Sequence, residues 1–342
     1  MKNKVSTIAA VISAAALSAS IAQTSQPMMK AVGLSEYGGP EVLKYQDLPR
    51  PEPKDDEILV RVMAAGVNPV DAIVRSGRFG SRGLEKQPMV IGYDIAGVVE
   101  KTGANTEKFK AGDAVYSYLS VMRGGGYAEF AIAKESETAL KPKNISFEEA
   151  ASVPLAATTA WQALVDDGKI NAGQTVLIHG GSGGVGSFAV QIAKAKGAKV
   201  IATASSEHQS TLKNIGVDQA IDYTTAKFED VAKNVDLVLD CVRGTDVLSR
   251  SYGVVRKGGG IVSITDEPDQ TACAKHGIIC SRMGAHPEAK VLEELTKLIE
   301  ARKVKTIVSQ TFPLADAIKA HQQIETRHTL GKIVLKVAEE KK

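Results

Sequence analysis

The feature that most constrains the fold is a glycine-rich turn between an apolar run and a helical run. The apolar run, residues 175–178, is followed by His-Gly-Gly-Ser-Gly-Gly-Val-Gly at residues 179–186. The helical run continues to residue 196, and a second apolar run occupies residues 200–202. This order of strand, turn, helix and strand, with glycines at the G-x-G-x-x-G spacing, is typical of dinucleotide-binding βαβ units.

Three glycines of the turn have separate predicted roles. We expect Gly181 to permit the tight turn out of the strand, and Gly183 to let a pyrophosphate approach bare backbone. We expect Gly186 to let the helix pack close against the sheet. The free amide groups at the helix start would then face the phosphates, because the helix dipole favours negative charge there. The alternative is a turn that only connects two core strands.

Length and composition indicate an ordinary globular protein of two domains. The chain has 342 residues, of which 44% are hydrophobic and 24% charged, and this is enough material for two cores. The net charge of +3 is small, so nothing suggests a nucleic acid or an anionic membrane as a partner. The three cysteines, Cys241, Cys273 and Cys280, have no metal-ligand spacing. Cys273 and Cys280 could pair in an oxidising compartment, but we expect buried free thiols.

The N-terminus has the pattern of a secretory signal peptide. Two lysines near the start precede an apolar stretch at residues 8–17, and small residues occupy the positions that a signal peptidase recognises before Gln23. We therefore expect residues 1–22 to be removed on export to the bacterial periplasm or the cell exterior, since the stretch is too short to span a membrane. The alternative is a cytoplasmic protein with an N-terminal extension, or with its true start at Met28 or Met29.

The rest of the chain divides into two regions that differ in their predicted secondary structure. Residues 28–141 are dense in short strand-like runs separated by proline and glycine, which favours a compact β-barrel-like domain. Residues 146–149 have the pattern of a helix capping box, and we expect the helix that follows to be broken at Pro154. Strands and helices then alternate, which predicts an α/β domain with a parallel, doubly wound sheet. A final strand, residues 331–337, could complete either domain.

Six stretches besides the glycine turn carry motifs of a known family. They are residues 65–71, 92–99, 109–113, 126–129, 157–161 and 331–335. Together with the turn they resemble the medium-chain dehydrogenase/reductase superfamily, and most of all its zinc-independent, zeta-crystallin-like quinone oxidoreductase branch. The resemblance implies a GroES-like catalytic domain in residues 28–148, a Rossmann domain in 149–288 and a C-terminal return to the catalytic domain in 289–342. It also implies a homodimer joined through the Rossmann edge strand, residues 277–282.

Two positions in these motifs argue against a catalytic zinc ion. Alcohol dehydrogenases of this superfamily carry a Cys where this chain has Asn68, and a His where it has Tyr93. They also hold a structural zinc in four closely spaced cysteines, whereas this chain has three cysteines in all. Since zinc prefers thiolate, imidazole or carboxylate ligands, the resemblance implies an enzyme that works without a metal.

The end of the second strand of the βαβ unit bears on the choice between NADPH and NADH. An NAD site needs an acidic residue there to hold the ribose 2′-hydroxyl, whereas this chain has Ser205 and Ser206, whose hydroxyls could donate to a 2′-phosphate. The resemblance adds Tyr223 and a basic residue at position 208, where His208 replaces the more usual Lys. We expect NADPH, with weakened phosphate affinity at neutral pH, because an unperturbed imidazole is mostly uncharged above about pH 6.5. The alternative places His208 on a solvated helix surface.

The motifs and the resemblance also indicate the other cofactor contacts and the reaction. We expect the remaining contacts at Thr158, Gly181, Ser182, Gly183, Gly184, Val185, Gly186, Ile264, Gly331 and Lys332. Without a metal, a Ser-His-Asp arrangement or a reactive Cys motif, the chemistry left is hydride transfer to an electron-poor acceptor, a quinone or an α,β-unsaturated carbonyl compound. Asn68 and Tyr93 would line the substrate cleft. Tyr93 could donate a proton or hydrogen bond to the developing enolate, or it could form only the wall.

Two other functions stay open at this point. One is an enoyl-thioester reductase of the same superfamily, which would need a basic surface near the cleft for a carrier phosphate. The other is a non-catalytic NADPH-binding protein, structural or sensory. Oxidation of bound NADPH on addition of simple quinones or enones would indicate the hydride-transfer enzyme. Binding of NADPH without such oxidation would favour the non-catalytic binding protein.

Overall fold

Most of the chain is described by a computed structural model, which covers residues 26–80, 84 and 88–339. The strands of this part are β1 (Met28–Leu34), β2 (Lys44–Pro49), β3 (Glu57–Val67), β4 (Met89–Val90), β5 (Asp94–Thr102), β6 (Ala114–Tyr118), β7 (Phe130–Lys134), β8 (Thr138–Leu140), β9 (Thr175–His179), β10 (Lys199–Ala204), β11 (Gln219–Asp222), β12 (Val235–Asp240), β13 (Val255–Ser263), β14 (Ile279–Arg282), β15 (Val308–Pro313) and β16 (Lys332–Lys336). Its helices are α1 (Pro69–Arg75), α2 (Phe147–Ala151), α3 (Pro154–Trp161), α4 (Gly184–Ala195), α5 (Gln209–Asn214), α6 (Phe228–Val231), α7 (Val247–Ser251), α8 (Gln270–His276), α9 (Ala289–Glu300) and α10 (Ala317–Glu325). The predicted signal peptide, residues 1–22, lies outside the described residues. None of the helices in the described ranges combines the length and apolar character that a membrane crossing requires.

The first region is organised around a mainly antiparallel sheet. In the described residues its strand order is β15-β16-β3-β5-β6-β8, with β7 also paired to β3. In the first half of β3 every second residue faces one apolar cluster, in which Ile58, Val60 and Val62 pack with Ile95 and Val99 of β5. A smaller sheet of β2, β1 and β4 lies beside it. These strands give the β-rich first region that the sequence predicts.

The final strand completes the sheet of this first region. β16 runs antiparallel to β3, with Ile333 opposite Val67. Because side chains alternate along a strand, Ile333 and Leu335 enter the apolar core of the first region. Val334 enters the core shared with α3 and α4. The strand therefore stabilises both halves of the protein through burial of apolar surface on its two faces.

The second region contains the predicted parallel, doubly wound sheet, so the α/β fold class is confirmed. Its order in the described residues is β11-β10-β9-β12-β13-β14, and each neighbouring pair is parallel. Residues Val176, Leu177 and Ile178 of β9 are buried, because helices cover both faces of such a sheet. The chain order reverses beside β9, and ligands of open α/β sheets bind at that reversal, outside the carboxyl ends of the strands.

Pro154 begins a helix, where the sequence predicts only a break. The capping box before it forms as expected: the Ser146 hydroxyl accepts the Glu149 N–H at 3.1 Å, and the Glu149 carboxylate accepts the Ser146 N–H at 2.8 Å. α3 then starts at Pro154, because the first helical position does not need the N–H that proline lacks. The helix continues past Trp161 as a π-helical segment, Gln162–Asp167.

Cys273 and Cys280 form a disulfide, so the expectation of free thiols is wrong. The bond joins α8 to β14 across seven positions of sequence. Gly277 lies between them with a left-handed φ of 66° at the end of α8, and this reverses the chain so that the strand returns beside the helix. Cysteine spacing alone does not indicate that reversal. Cys241 is a free thiol, and burial raises its pKa.

Candidate active site

The glycine turn lies between β9 and α4, at the reversal point of the parallel sheet. The residue with left-handed backbone is Gly180, with φ of 71°, so Gly180 makes the tight turn that was predicted for Gly181. Gly181 has a packing role instead, because a Cβ there would lie 2.8 Å from the Cβ of Ala202 in β10. The spacing of glycines does not by itself show which of them has positive φ.

The start of α4 forms an open cradle of backbone. A Cβ added to Gly183, the N-cap residue, would meet only the carbonyl oxygen of Gly180, at 3.4 Å, and no side chain of the described residues caps the helix. A Cβ added to Gly186 would collide with that same oxygen, so Gly186 lets the helix approach the turn. The first amide groups of a helix have no partner within it, and the lack of side chains against Gly183 leaves room there for a pyrophosphate.

His208 lies against the glycine turn, and not on a solvated helix surface as in the alternative interpretation. Its Nδ1 atom lies 3.4 Å from the Oγ atom of Ser182 and 3.3 Å from that of Ser205. The imidazole side chain is 16% exposed. The structure therefore brings together three predicted residues, one from the glycine turn and two from the segment after β10.

Ser206 and Tyr223 border the same strand end. The Ser206 hydroxyl donates to the Asp222 carboxylate at 2.5 Å and lies 2.9 Å from the Thr224 hydroxyl. The hydrogen bonds from Ser206 and Thr224 lower the pKa of Asp222. Tyr223 follows Asp222 and exposes its ring. Sequence analysis missed Asp222, a carboxylate next to the predicted 2′-phosphate position.

Three further predicted contacts lie around the nucleotide-binding edge. Thr158 is fully buried in α3, which packs against α4, and its Oγ1 atom has no hydrogen-bond partner among the described residues. Val185 is half-buried in the first turn of α4, and Ile264 is half-buried directly after β13. Buried hydroxyls are almost always hydrogen-bonded. The unpartnered Thr158 hydroxyl therefore fits a polar group of a ligand, such as the carboxamide of a nicotinamide ring.

The C-terminal segment reaches the glycine turn directly. The Gly331 N–H donates to the Ser182 carbonyl at 2.8 Å, and Gly331 forms a β-bridge with Gly183. Its φ is 54°, and an added Cβ would collide with the Ile307 carbonyl oxygen, so only glycine fits. This contact joins the start of β16, a strand of the first sheet, to the glycine turn of the parallel sheet.

Lys332 continues from Gly331 into a buried ion pair. Its Nζ atom lies 3.3 Å from Oδ2 of Asp94, donates to the Val67 carbonyl at 3.1 Å and also donates to Oδ1 of Asn68. The Asn68 amide nitrogen donates to Oδ2 of Asp94 at 2.9 Å. Asn68 is buried and uses both ends of its amide within the protein. It therefore holds the ion pair, where we had expected it to face a substrate cleft.

A second set of buried polar groups extends from Asn68 to α10. The backbone N–H of Asn68 and the hydroxyl of Tyr127 each donate to Oδ2 of Asp71 at 2.7 Å. Nε2 of His321 lies 3.3 Å from the Tyr127 hydroxyl, and Nδ1 of His321 lies 2.7 Å from the Arg75 guanidinium. Since a guanidinium only donates, Nδ1 accepts and Nε2 carries the proton. The hydrogen bonds therefore all run in one direction, from Arg75 to Asp71.

Burial shifts the titration of this network. It raises the pKa of Asp71 to about 7, although the hydrogen bond from Tyr127 acts in the opposite direction. Burial, together with the charge of Arg75, lowers the pKa of His321 to about 3. Burial also raises the pKa of Tyr127 well above its ordinary value. Asp71 has a local sequence signal, its position three residues after Asn68 at a helix start, and Tyr127 lies in the motif of residues 126–129. His321 comes from a distant segment without a motif.

Tyr93 is buried beside this network. It is 1% exposed and shares an apolar cluster with Tyr127 and Tyr118. A Cβ added to Gly124, in the glycine-rich loop after β6, would lie 3.3 Å from its ring.

In the described residues no group of three or more His, Cys, Asp or Glu side chains is placed to hold a metal ion.

Comparisons with known proteins identify the family. Residues 54–143 match the family model described as Alcohol dehydrogenase GroES-like domain, and residues 215–335 match the one described as Zinc-binding dehydrogenase. The NADPH-dependent alkenal/one oxidoreductase, chloroplastic, of Arabidopsis thaliana is 39% identical over 318 residues, which cover 90% of this chain and 79% of that protein. The quinone oxidoreductase of Homo sapiens is 32% identical over 330 residues, which cover 91% of this chain and 99% of the human protein.

Solved structures are similar over nearly the whole chain. The quinone oxidoreductase from Coxiella burnetii has a TM-score of 0.83 and 34% identity, covering 91% of this chain and 100% of its own. A mycobacterial protein determined in complex with NADPH has a TM-score of 0.81 and 31% identity, covering 90% of this chain and 100% of its own. This chain belongs to the medium-chain dehydrogenase/reductase superfamily of oxidoreductases. Within it, the relatives place the chain among quinone and alkenal/one oxidoreductases, which use a nicotinamide cofactor.

Proposed function

We propose that this protein is an NADPH-dependent oxidoreductase that transfers a hydride to a quinone or an α,β-unsaturated carbonyl compound without a metal ion. The observation that carries the proposal is the backbone cradle at Gly183. In α3, the helix that packs against α4, the buried Thr158 hydroxyl has no hydrogen-bond partner among the described residues. Relatives named NADPH-dependent alkenal/one oxidoreductase and quinone oxidoreductase support the acceptor class. The absence of zinc ligands at Asn68 and Tyr93 supports the metal-free mechanism.

In this proposal the cofactor lies along the carboxyl edge of the parallel sheet. The first amides of α4 bind the pyrophosphate over Gly183, and the Thr158 hydroxyl bonds the nicotinamide carboxamide. Ser205, His208 and Tyr223 surround the 2′-phosphate end. The remaining proposed contacts are Gly181, Ser182, Gly184, Val185, Gly186, Ser206, Ile264, Gly331 and Lys332. NADPH is favoured because the end of β10 carries hydroxyl groups in place of the acidic residue of an NAD site.

When bound, the reduced nicotinamide supplies a hydride to an electron-poor carbon of the acceptor. The residues of this chain hold the two partners at reactive distance and exclude water. The aliphatic stem of Lys332 lies beside the cradle, since a Cβ added to Gly184 would lie 3.0 Å from its Cδ atom. The ammonium group itself is held by Asp94, Asn68 and the Val67 carbonyl. Tyr93 is buried in the apolar cluster of the first region, where it would form part of the wall of the substrate cleft.

The proposal is tested by the oxidation of NADPH and NADH against a panel of quinones, alkyl enones and enoyl thioesters, with and without a chelator. We expect turnover of quinones or simple enones with NADPH, and no effect of the chelator. Activity abolished by the chelator would contradict the metal-free mechanism. NADPH binding without turnover of any acceptor would favour the non-catalytic binding protein, and turnover confined to thioesters would favour the enoyl-thioester reductase.

We also propose that the protein is exported. The lysines and the apolar stretch of residues 1–22 support this localisation. The disulfide between Cys273 and Cys280 adds support, because disulfides persist in oxidising compartments. Mass spectrometry of the mature protein is the test. We expect a chain that begins at Gln23, and a chain that begins at Met1 or Met28 would contradict export.

A homodimer joined through β14 is a further part of the proposal. β14 is the last strand of its sheet among the described residues, and Ile279 on it is 74% exposed. An exposed apolar residue on an open strand edge favours pairing with another chain. We expect a dimer for the wild type and a monomer for Ile279→Lys in sedimentation velocity. A monomeric wild type would contradict the proposal.

A further inference from the structure

Asp94 binds three separate segments that border the proposed cofactor site. It is the first residue of β5 and is fully buried. Its Oδ1 atom accepts the backbone N–H of Leu155 at 2.6 Å. Its Oδ2 atom accepts a hydrogen of the Asn68 amide at 2.9 Å and lies 3.3 Å from Nζ of Lys332. These partners belong to α3, to the start of α1 and to the start of β16, so one carboxylate joins all three elements.

The bond to Leu155 serves as the N-terminal cap of α3. The residue before this helix is Val153, whose side chain makes no capping hydrogen bond. The Asp94 carboxylate instead accepts one of the free amide hydrogens of the first turn, and its negative charge interacts favourably with the helix dipole. Leu155 and Thr158 are three positions apart, which places them on one face of the helix. Asp94 therefore holds the turn of α3 that carries the unpartnered Thr158 hydroxyl.

The bond to Lys332 acts at the glycine turn. The ammonium has three hydrogens, and three acceptors lie around it, of which Asp94 is the charged one. The stem of Lys332 runs past the first residue of α4, since a Cβ added to Gly184 would lie 3.0 Å from its Cδ atom. The preceding residue, Gly331, donates its N–H to the Ser182 carbonyl at 2.8 Å. The ion pair therefore holds the start of β16 against the turn.

We propose that Asp94 is a positioning residue for hydride transfer, because its carboxylate holds the Thr158 hydroxyl at a set place relative to the pyrophosphate cradle. The inference rests on the proposed function, in which these two groups bind the nicotinamide end and the pyrophosphate of NADPH. Asp94 acts through its protein partners and does not touch the cofactor. Their separation decides where the hydride donor lies, and a misplacement of about 1 Å can cost about a hundredfold in rate.

Two double variants isolate the bond from Asp94 to α3. In Asp94→Asn with Lys332→Met, the amide oxygen can still accept the Leu155 N–H, and no unpaired ammonium remains to oppose the amide hydrogens. In Asp94→Leu with Lys332→Met, a side chain of similar shape has no acceptor for that N–H. Both lack the ion pair, so they differ in the cap of α3.

Three measurements on the full chain compare the two double variants. With saturating NADPH and a simple quinone, kcat should be about tenfold lower for the Asp94→Leu double variant than for the Asp94→Asn double variant. The fluorescence of bound NADPH, which reports the surroundings of the reduced nicotinamide, should differ between them. The affinity for 2′,5′-ADP, a probe without nicotinamide, should be the same in both.

Thr158→Val shows whether Asp94 acts through α3. When the Thr158 hydroxyl is absent, the tenfold difference in kcat between the two double variants should largely disappear, because residues that act through one another are not additive. Asp236→Asn is the matched control. Asp236 also accepts a backbone N–H, that of Thr175 at 2.7 Å, and pairs with Arg256 at 2.6 Å, but it lies at the amino end of the parallel sheet. It should lower the thermal stability without changing kcat or the NADPH fluorescence.

A merely structural role of Asp94 gives a different result. If the Asp94→Leu double variant were less stable but had the same kcat and NADPH fluorescence as the Asp94→Asn double variant, the inference would be overturned. Additive effects of Thr158→Val would overturn it as well. If the Asp94→Leu double variant does not fold, Asp94→Asn alone decides, since its kcat must then be lowered in a way that is not additive with Thr158→Val. A wild type that binds neither NADPH nor NADH would show instead that the proposed function is wrong.

Discussion

The Nζ atom of Lys332 lies 3.3 Å from Oδ2 of Asp94, and the two side chains are 4% and 0% exposed. A buried ion pair is stable only when its remaining donors and acceptors are also satisfied. Here Asn68 and the Val67 carbonyl accept further hydrogens of the ammonium, and Asp94 also accepts the Leu155 N–H at 2.6 Å. Since Gly331 binds the glycine turn, this pair fixes the cradle relative to the first sheet.

We expect Lys332→Met to destabilise the protein by about 3 kcal/mol or more, because it leaves the Asp94 carboxylate buried without its cation. Urea unfolding at neutral pH measures the change. The double variant Lys332→Met with Asp94→Asn should lose less than the sum of the single variants, since the two residues interact directly. Lys336→Met is the matched control on the same strand.

Lys336 forms ion pairs with Glu148 and Glu339 that are partly open to solvent. Such pairs contribute about 1 kcal/mol or less. Equal losses for Lys332→Met and Lys336→Met, or strict additivity in the double variant, would contradict the role assigned to the buried pair.

Two glycine substitutions in one turn should have opposite consequences. Gly183→Ala should leave the free energy of unfolding within about 1 kcal/mol of the wild type, because its φ is −76° and the added Cβ meets only the Gly180 carbonyl oxygen, at an ordinary contact distance of 3.4 Å. The same methyl group should weaken NADPH binding at least about tenfold by occupying the pyrophosphate cradle. Gly186→Ala should instead destabilise by about 1–3 kcal/mol through overpacking against Gly180. Urea unfolding and NADPH titration distinguish the two.

If Gly183→Ala bound NADPH as tightly as the wild type, the cradle would not be the phosphate site. If Gly186→Ala were as stable as the wild type, the close contact between α4 and the turn would not be needed.

Asp71 should make stability depend on pH in an unusual direction. Its folded pKa of about 7 lies above the ordinary carboxyl value of about 3.9, so the folded state binds more protons between these values. The Asp71 contribution to the free energy of unfolding therefore falls as the pH rises from about 4 to about 7. Asp71→Asn cannot titrate, so its stability relative to the wild type should rise over this window. Urea unfolding of both proteins at several pH values is the measurement.

The effect of Asp71 must be measured as the difference in the free energy of unfolding between Asp71→Asn and the wild type. The wild type alone would not show it, because burial also lowers the pKa of His321 and of His179 to about 3. Those two groups make the wild type more stable as the pH rises to about 6.5, and both remain in the variant. Glu229→Gln is the control of opposite sign, since the hydrogen bond from Arg250 lowers the pKa of Glu229. The free energy of unfolding of Glu229→Gln should be lower than that of the wild type at neutral pH, and this difference should vanish in acid. A flat difference for Asp71→Asn would contradict its raised pKa.

The disulfide should be present in protein isolated from an oxidising compartment. Thiol titration of the denatured, unreduced chain should find one free thiol, Cys241. Replacing Cys273 and Cys280 by Ser should lower the free energy of unfolding by about 2 kcal/mol, the value for closing a loop of this length. Thermal unfolding with and without reductant measures the same quantity. Three free thiols in the exported protein would rule the bond out.

The sequence by itself determined the fold class and the place of the nucleotide-binding turn. The strand–helix alternation after residue 146, the capping box of Ser146 and Glu149 and the glycine spacing of residues 179–186 are local patterns. Such patterns depend on backbone geometry over a few residues, and each appears in the structure. Chemistry at the strand end, with Ser205 and Ser206 in place of an acid, is likewise visible in the sequence. The leader, residues 1–22, lies outside the described residues and stays a prediction.

Only the tertiary structure decided which side chains share the site. Lys332 and Asp94 are 238 positions apart, and they meet because β16 joins β3 and β5 in one sheet. Tyr127 from the loop before β7 bonds Asp71, and His321 reaches Tyr127 from α10. Asp222 reaches Ser206 through the pairing of β10 with β11. No periodicity encodes these contacts, because strand order depends on the burial of whole apolar faces. The charge and titration of the site arise from that packing.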